Sequence, residues 1–337
     1  MQILGHDFWL RKSPLIIAEI GSGHGGSLDQ AIDLVIDAAR AGAGAVKLQT
    51  YTPDSMTIDC DDPDFEIKDG PWKGRRLYDL YSEAMTPREW HKPLFEAASR
   101  ANIPIFSTPF GVDDVDFLEG LGCPAYKIAS AEIAHFELLE AIRETKKPVF
   151  ISTGMATLSD IRQALDALYG RDVVIMHCVS GYPTPVHEAN LWNIRNLESN
   201  FPRHEIGFSD HTVSSVAAIA AVALGASVIE KHIADRGSED AGFAYRPEHF
   251  VDFVRSVESA WAAKQAGDRT SEGPSQQMKR SIYIVEDVRQ GEELTRDNTK
   301  VIRPGYGLDP NEYVEVLGKT AKSDIKRGTA LSSGMFE

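Results

Sequence analysis

Eight short apolar runs recur along the first 235 residues, and they constrain the fold more than any other feature. They are LIIAEI (15–20), AVKLQT (45–50), IPIFST (103–108), AYKIAS (125–130), PVFIST (148–153), VVIMHC (173–178), EIGFSD (205–210) and VIEKHI (228–233). Each begins as a nearly continuous apolar stretch, as strands buried on both faces do, and segments with helical periodicity separate most of them. This alternation predicts an α/β fold, a (β/α)8 TIM barrel, with an open doubly wound sheet as the alternative.

Capping residues indicate where several of the intervening helices begin. Ser27 precedes an amphipathic segment, and Thr157 precedes another. The string Thr86-Pro87-Arg88-Glu89 has the spacing of a capping box with proline at the first helical position. We therefore expect Ser27, Thr86 and Thr157 to cap helices.

The chain after the barrel reads as a linker and a small second domain. Apolar periodicity disappears in a stretch rich in Gly, Ser, Pro and Gln, which predicts a barrel domain over 1–262, a linker over 263–278 and a β-rich domain over 279–337. The last segment repeats one pattern, from Asp287 to Thr295 and again from Asp324 to Ser332. The repeat predicts two similar turn units related by pseudo-symmetry.

Charge and cysteine content exclude several classes of function. A formal net charge of -15 argues against nucleic acid or an anionic membrane as a partner. Cys60, Cys123 and Cys178 show no CxxC spacing, which indicates a reducing compartment. The sequence also lacks a signal-like start and a long uninterrupted apolar run, so we expect a cytoplasmic protein.

Polar residues cluster at or just after the ends of the predicted strands. In a parallel barrel these ends converge on one mouth, where such enzymes build their active sites. The residues are Glu19, Lys47, Gln49, Thr108, Lys127, Ser130, Ser152, His177, Ser180, Ser209, His211, Glu230 and His232.

Two lysines at strand ends stand out in this acidic chain. Lys47 and Lys127, together with nearby hydroxyl residues, predict a pocket for a small phosphorylated acid, because phosphate and carboxylate oxygens favour fixed cations and short donors. The alternative is that both lysines form internal salt bridges with Glu19 and Glu132.

Two histidines follow the last two strands. His211 and His232 would be neighbours in a closed barrel, where two imidazoles could bind one divalent ion that acts as a Lewis acid. Ordinary hydrogen-bonded core histidines are the alternative. Glu19 and Asp240 are then candidates for ligands of a substrate hydroxyl or for acid and base groups.

At these residues the chain resembles the sialic acid synthase family and, within it, the pseudaminic acid synthase branch. The C-terminal segment resembles the antifreeze-like (SAF) module of these enzymes, and the resemblance covers nearly the whole chain in order. The matching strings are IAEIGSGHGGSL, AVKLQTYTPDSM, PDFEIKDGPWKGRRLYDLY…TPREWHKPLF in and after the long insertion that follows the second strand, FSTPF, PAYKIASAEI, ISTGMATL, GFSDHT, LGASVIEKHI and VIRPG.

The resemblance implies a transferase that condenses phosphoenolpyruvate with an N-acetylated amino-hexose and releases phosphate by C–O cleavage. The preferred acceptor is 2,4-diacetamido-2,4,6-trideoxy-altrose, which gives pseudaminic acid. The alternatives are N-acetylneuraminate or legionaminate synthesis, from N-acetylmannosamine or a 2,4-diacetamido-trideoxy-mannose. A lysine Schiff-base aldolase and a catalytically silent sugar-binding homologue are less favoured.

The resemblance also implies roles for single residues. His211 and His232 match ligands of manganese, with magnesium or cobalt as alternatives, and with Glu19 and Asp240 they form the expected catalytic set. The expected phosphoenolpyruvate-binding residues are Lys47, Thr108, Lys127, Ser130, Ser152, Ser180 and Ser209. The expected sugar-binding residues are Gln49, Tyr182, Asp240 and Arg303. Arg303 is expected to reach the barrel mouth of the other subunit of a homodimer, carried there by the SAF domain.

Three positions depart from the family pattern. Gly23 replaces a usual asparagine, and Ala131 replaces a phenylalanine common in the pseudaminic branch, which is expected to enlarge the sugar pocket. Sialic acid synthases often have asparagine at the position of Ser180; the serine found here resembles the pseudaminic branch.

Overall fold

The computed structural model describes residues 1–8, 13–70, 72–265 and 275–337. The chain divides into two compact units, Met1–Gln265 and Ala266–Glu337. Most of the predicted linker, residues 266–274, lies outside the described residues, so its boundaries stay a prediction.

The described strands of the first unit include a closed parallel barrel, β3 to β10, in which each strand pairs with the next in sequence and β10 pairs with β3. All eight runs predicted as strands therefore form the barrel, and the open sheet is excluded. A short antiparallel pair, β1 and β2, precedes it. The strands are β1 Gln2–Ile3, β2 His6–Asp7, β3 Leu15–Glu19, β4 Ala45–Thr50, β5 Ile105–Pro109, β6 Tyr126–Ile128, β7 Val149–Ser152, β8 Val173–Cys178, β9 Glu205–Asp210 and β10 Val228–His232.

Helices follow the barrel strands, and their apolar faces pack on the outside of the barrel. None of the described helices is long and apolar enough to cross a membrane. The helices of this unit are α1 Leu28–Ala41, α2 Pro53–Met56, α3 Leu77–Ala84, α4 Arg88–Arg100, α5 Val112–Gly120, α6 Phe136–Glu144, α7 Leu158–Ala167, α8 Asn193–Asn200, α9 Val216–Leu224 and α10 Pro247–Gln265.

The predicted caps are right at two helices and wrong at one. Ser27 accepts a hydrogen bond from Gln30 N, and Thr157 forms a reciprocal capping box with Asp160. Thr86 caps nothing, because α4 begins at Arg88 with Pro87 as its N-cap residue. The Thr86 hydroxyl is buried instead beside His24 Nε2, 3.4 Å away. A tertiary contact thus overrides the local capping signal.

The barrel interior is filled by large side chains. Phe106 on β5 and Phe150 on β7 are fully buried, with ring centroids 5.3 Å apart. Truncation of such a phenylalanine to alanine typically costs about 3–5 kcal/mol, since it removes burial and leaves a cavity. This packed interior is the rigid base on which the strand ends are held.

The second unit is built around an antiparallel pair, β11 Ser281–Ile284 and β12 Thr299–Ile302, with short helices α11 Ser275–Met278 and α12 Tyr313–Val316. The predicted repeat is visible as two reciprocal contacts. Asp287 accepts a hydrogen bond from Arg327 N, and Asp324 accepts one from Gln290 N, each 2.8 Å long. The pseudo-symmetry expected from the sequence is therefore present.

Candidate active site at the barrel mouth

The carboxyl ends of the barrel strands surround a polar cavity. Most of the predicted site residues line it, drawn from every part of the barrel. The lining residues are Glu19, Lys47, Gln49, Thr108, Phe110, Lys127, Ala129, Ser130, Ser152, Cys178, Tyr182, Ser209, His211, Glu230 and His232.

Three predicted site residues lie outside this lining. Asp240 is buried directly behind His232, with its Oδ2 atom 3.0 Å from the imidazole Nδ1. Ser180 lies next to the cavity lining, close to Ser130. A Cβ placed on Gly154 would be 2.7 Å from Ser180 Oγ and 3.1 Å from Ser130 Oγ. Arg303 is an exposed residue of the second unit.

The two lysines share the floor of the cavity with two carboxylates. Lys47 forms an ion pair with Glu19, and its Nζ lies 3.8 Å from Glu230 Oε1. Lys127 Nζ lies 3.5 Å from the same Glu230 oxygen. The alternative of internal salt bridges is therefore right about Glu19 and wrong about Glu132, because Glu230 supplies the second carboxylate.

Burial and charge act against each other in this cluster. Burial lowers the pKa of Lys127, and Glu230 only partly offsets it. Burial also acts to lower the pKa of Lys47, but the Glu19 and Glu230 carboxylates outweigh it and raise that pKa. Burial would raise the pKa of Glu230, yet Lys127 and Lys47 hold it below its usual range. Glu230 and Lys47 are therefore charged at neutral pH.

The two histidines meet at the edge of the same cavity. The ring centroids of His211 and His232 are 5.5 Å apart. His211 Nδ1 lies 2.8 Å from the carbonyl oxygen of Val179, and His232 Nδ1 is held by Asp240. Both rings therefore have Nδ1 engaged as a donor and the Nε2 lone pair available, which is the tautomer of a metal ligand with an oriented ring.

Burial and the neighbouring His232 lower the pKa of His211 to about 3, so this imidazole is neutral at physiological pH. Neutral imidazole is the form that binds a divalent cation. Among the described residues, no group of three or more His, Cys, Asp or Glu side chains has the geometry of a metal centre. The chain therefore offers two imidazole nitrogens, which fits an ion that keeps open positions for substrate.

An aromatic shelf covers the histidines. The Tyr182 ring centroid lies 4.4 Å from that of His211 and 5.2 Å from that of Phe243. Phe243 also packs edge-on against His232, at 4.9 Å. The shelf places apolar surface directly beside the polar floor.

The loop after β3 is built tightly around Asp240. Ser22 donates to Asp240 Oδ1 from its hydroxyl at 2.6 Å and to Oδ2 from its backbone N–H at 3.2 Å. Burial would raise the pKa of Asp240, but His232 and Ser22 lower it. A Cβ on Gly23 would lie 2.5 Å from the backbone oxygen of Ile233, so the asparagine usual in the family has no room here. Gly23 is thus a packing requirement of this loop.

A second departure from the family pattern, Ala131, is exposed and lies outside the cavity lining, next to Ser130. The replacement of phenylalanine by Ala131 therefore does not directly enlarge the cavity.

Several site residues were missing from the sequence prediction. Glu230 is among the polar residues predicted at strand ends, but the sequence motifs assign it no role; it is two residues before His232 and so shares its face of β10. That alternation could have identified it. Phe110, Cys178 and Phe243 carry no comparable local signal, since their neighbours come from distant parts of the chain.

Comparison with known proteins gives a consistent result. Residues 34–269 match the model of the NeuB family, and residues 279–337 match that of the SAF domain. Pseudaminic acid synthase of Campylobacter jejuni is 42% identical over 335 residues, 97% of each chain. Pseudaminic acid synthase of Helicobacter pylori is 36% identical, covering 97% of this chain and 98% of the relative. The crystal structure of N-acetylneuraminic acid synthetase from Leptospira borgpetersenii superposes with a TM-score of 0.70 at 30% identity, covering 80% of this chain and 90% of the other.

Proposed function

The chain belongs to the NeuB family, and from that premise we propose that it condenses phosphoenolpyruvate with a 2,4-diacetamido-2,4,6-trideoxy-hexose to form pseudaminic acid and phosphate. One observation carries the proposal: two lysines and two metal-competent imidazoles line a single cavity. Sequence identity supports the choice of acceptor. This chain is 42% and 36% identical to the two pseudaminic acid synthases and 30% identical to the N-acetylneuraminic acid synthetase.

The floor of the cavity is assigned to phosphoenolpyruvate. Lys47 and Lys127 bring two ammonium groups to a site with little solvent, where charge-assisted hydrogen bonds to phosphate and carboxylate are strongest. The predicted hydroxyl residues around them complete the donor set; they are Thr108, Ser130, Ser152 and Ser209, with Ser180 beside them. Lys127 has only a long contact to Glu230, so it is the readier of the two to bind an incoming anion.

We assign His211 and His232 as ligands of a divalent cation, preferably manganese, with magnesium or cobalt as alternatives. A cation held there would act as a Lewis acid on the acceptor aldehyde. Asp240 fixes the His232 ring through Nδ1, and the Val179 carbonyl does the same for His211. These contacts hold both rings through Nδ1 and leave the Nε2 atom of each for the cation.

The reaction then forms a C–C bond and, from water, a C–O bond, and it breaks the C–O bond to phosphate. Of the two water protons, one ends on the former aldehyde oxygen and the other on the departing phosphate. The methylene carbon of phosphoenolpyruvate attacks the aldehyde carbon, water adds to the carbon that bears phosphate, and phosphate leaves with the bridging oxygen. The Glu19 carboxylate, held by Lys47 and by a 2.9 Å hydrogen bond from Gln49 Nε2, is placed to accept the proton of that water. Gln49 and Tyr182 face the acceptor side.

A panel of N-acetylated aldoses with phosphoenolpyruvate and Mn²⁺ tests the proposal. We expect phosphate release and a nine-carbon product mass, with the highest kcat/KM for the diacetamido-trideoxy acceptor. A higher kcat/KM for N-acetylmannosamine would move the assignment to N-acetylneuraminate synthesis. Covalent trapping of a lysine by borohydride in the presence of pyruvate would replace it with a Schiff-base aldolase.

We also propose that the enzyme is a homodimer in which Arg303 of the SAF domain completes the partner's site. The exposure of Arg303 and the family resemblance support this. Co-expression of His211→Ala and Arg303→Ala chains tests it. Each variant alone should be inactive, whereas random mixing should restore about one quarter of wild-type activity, because half of the dimers hold one intact site. No restoration would place Arg303 in its own chain's site.

A further inference from the structure

One carboxylate joins the insertion after β4 to the loop after β10. Trp72 Nε1 donates to Glu239 Oε2 at 2.7 Å, and Arg75 Nη1 donates to Glu239 Oε1 at 3.0 Å. Arg75 also pairs with Glu83 at the end of α3, at 2.6 Å. Glu239 therefore uses both of its oxygens to hold one short stretch of the insertion.

This contact brings the Trp72 indole to the aromatic shelf. Its ring centroid lies 6.2 Å from that of Tyr182, which lines the cavity and packs on His211. Trp72 is only partly buried, and its one polar atom is already bonded to Glu239. The rest of the indole is apolar surface that lies next to Tyr182 and extends the shelf of Tyr182 and Phe243.

We propose that Trp72 is a specificity-determining residue for the acceptor and that Glu239 is the residue that positions it. The proposal rests on the proposed function, because it names what the aromatic end of that same site recognises. Trp72, Tyr182 and Phe243 together form an apolar wall for acceptors that carry methyl and acetamido groups in place of hydroxyls.

The chemistry of the two candidate acceptors makes this wall selective. A 2,4-diacetamido-2,4,6-trideoxy-hexose presents a C6 methyl and two acetyl methyls, all of which gain from contact with aromatic carbon. N-acetylmannosamine presents hydroxyls at C4 and C6, which lose water against the same wall without finding a partner. A difference of this kind is typically worth about 10- to 200-fold in kcat/KM.

The backbone hydrogen bonds around Trp72 stay within the insertion: Ile67 N donates to the Arg75 carbonyl at 2.9 Å, and Arg75 N donates to the Trp72 carbonyl at 3.0 Å. Arg76, the next residue after Arg75, points to a separate exposed acidic group made of Asp59, Asp61 and Asp79. Among the described side-chain hydrogen-bond partners of Trp72 and Arg75, only Glu239 belongs to the barrel's own strand-end loops. Loss of that carboxylate should free the indole without altering the floor of the cavity.

The test measures KM for each acceptor and for phosphoenolpyruvate, at saturating Mn²⁺, in the full-length enzyme. Trp72→Ala should raise the KM of the diacetamido-trideoxy acceptor about 10-fold and leave the KM of phosphoenolpyruvate unchanged. Trp72→Phe should recover part of the loss, because it keeps an aromatic face. Glu239→Gln should raise the acceptor KM in the same direction with kcat nearly unchanged, as expected when only positioning is lost.

Trp192 provides the matched control, since it is 73% exposed and lies at the start of α8, outside the cavity lining. Trp192→Ala should leave both KM values unchanged. An unchanged acceptor KM in Trp72→Ala, or an equal rise for N-acetylmannosamine, would overturn the proposal. Failure of the proposed function looks different, since the wild-type enzyme itself would then form no product from phosphoenolpyruvate and any acceptor in the panel.

Discussion

Two neighbouring residues of β10 take part in two buried ion networks that differ in kind. Glu230 faces the cavity, where it lies between Lys47 and Lys127. Lys231 points to the other side of the strand and pairs with Asp210 of β9 at 2.9 Å, with both side chains fully buried. The alternation of a β-strand thus places one charged residue in the site and the next behind it.

The network around Lys231 and Asp210, called the outer network here, is saturated in the sense that each of its polar side-chain atoms has a partner. Asp210 receives Lys231 on Oδ2 and the backbone N–H of Thr212 on Oδ1, at 2.9 Å each. Lys231 also donates to the Thr212 carbonyl, and its ammonium lies 5.3 Å from the centre of the Tyr245 ring. Each polar side-chain atom of the Lys231–Asp210 pair therefore has at least one partner among the described residues.

The network of Glu230, Lys47 and Lys127, called the inner network here, is incomplete. Glu230 Oε2 is buried and has no hydrogen-bond partner among the described residues, and both lysine contacts to Oε1 are long. Buried polar atoms without partners are costly, so each one requires an explanation, and a catalytic or ligand-binding role is one such explanation. The comparison teaches that buried charge alone does not identify a site. The unsatisfied Glu230 oxygen belongs to the cavity lining, whereas Arg88, Glu132 and Arg171 have unsatisfied buried atoms outside it, so position at the strand ends is needed as well.

The largest effect is expected from removing a metal ligand at the edge of the inner network. His211→Ala should lower kcat roughly 10⁴-fold, because the Lewis acid is lost, with only a modest change in phosphoenolpyruvate affinity. Steady-state kinetics with and without added Mn²⁺ measure it, and His249→Ala, at an exposed position, is the control. Near-normal turnover of His211→Ala in metal-stripped buffer would refute the assigned role.

Disruption of the outer network should instead lower the stability of the protein. Lys231→Met leaves Asp210 buried without its cation, and the free energy of unfolding should fall by about 3–5 kcal/mol. Adding Asp210→Asn removes the stranded charge and keeps an oxygen for the Thr212 N–H, so most of the loss should be recovered. Denaturant titration measures both. If the double variant were no more stable than Lys231→Met, an unpaired charge would not be the cause.

Removal of a lysine from the inner network should weaken substrate binding more than folding. Lys127→Met should raise the KM of phosphoenolpyruvate about 100-fold, because a desolvated cation for the anion is lost. Lys127→Met should lower the free energy of unfolding much less than Lys231→Met does, because Glu230 keeps Lys47 as a partner. The same kinetic and denaturant measurements apply. An unfolding loss equal to that of Lys231→Met would erase the distinction between the networks.

An effect of pH on stability is expected from a third group with all its polar atoms hydrogen-bonded, His91 on α4. His91 is fully buried between Thr50 Oγ1, at 2.8 Å, and the Pro87 carbonyl, and burial lowers its pKa to about 4. The unfolded chain binds a proton near pH 6.5, so stability from this group is complete above that pH and is lost as pH falls towards 4. The loss amounts to about 3 kcal/mol at most.

Denaturant titration between pH 7 and pH 4 checks this, with His91→Gln as the comparison. The variant should show a shallower decline than the wild-type protein, because glutamine does not titrate. Parallel curves would mean that His91 does not contribute to the pH dependence.

The sequence predicts the parts of this molecule that repeat a simple physical rule. Two-sided burial makes the barrel strands recognisable, and convergence of their ends brings Lys47, Lys127 and the two histidines together. What depends on distant partners was not predictable. Glu230 acquires its role from lysines on other strands, and Thr86 loses its cap to His24. Gly23 is explained only by the backbone oxygen that faces it.

Calorimetric titration of phosphoenolpyruvate tests the central claim most directly, that the incomplete network binds substrate and the saturated one only stabilises the fold. The proteins are the wild type, Lys127→Met and Lys231→Met/Asp210→Asn, each below its unfolding transition. We predict near-wild-type affinity in the double variant and about a 100-fold loss in Lys127→Met. Equal loss in both variants, or none in Lys127→Met, would contradict the account.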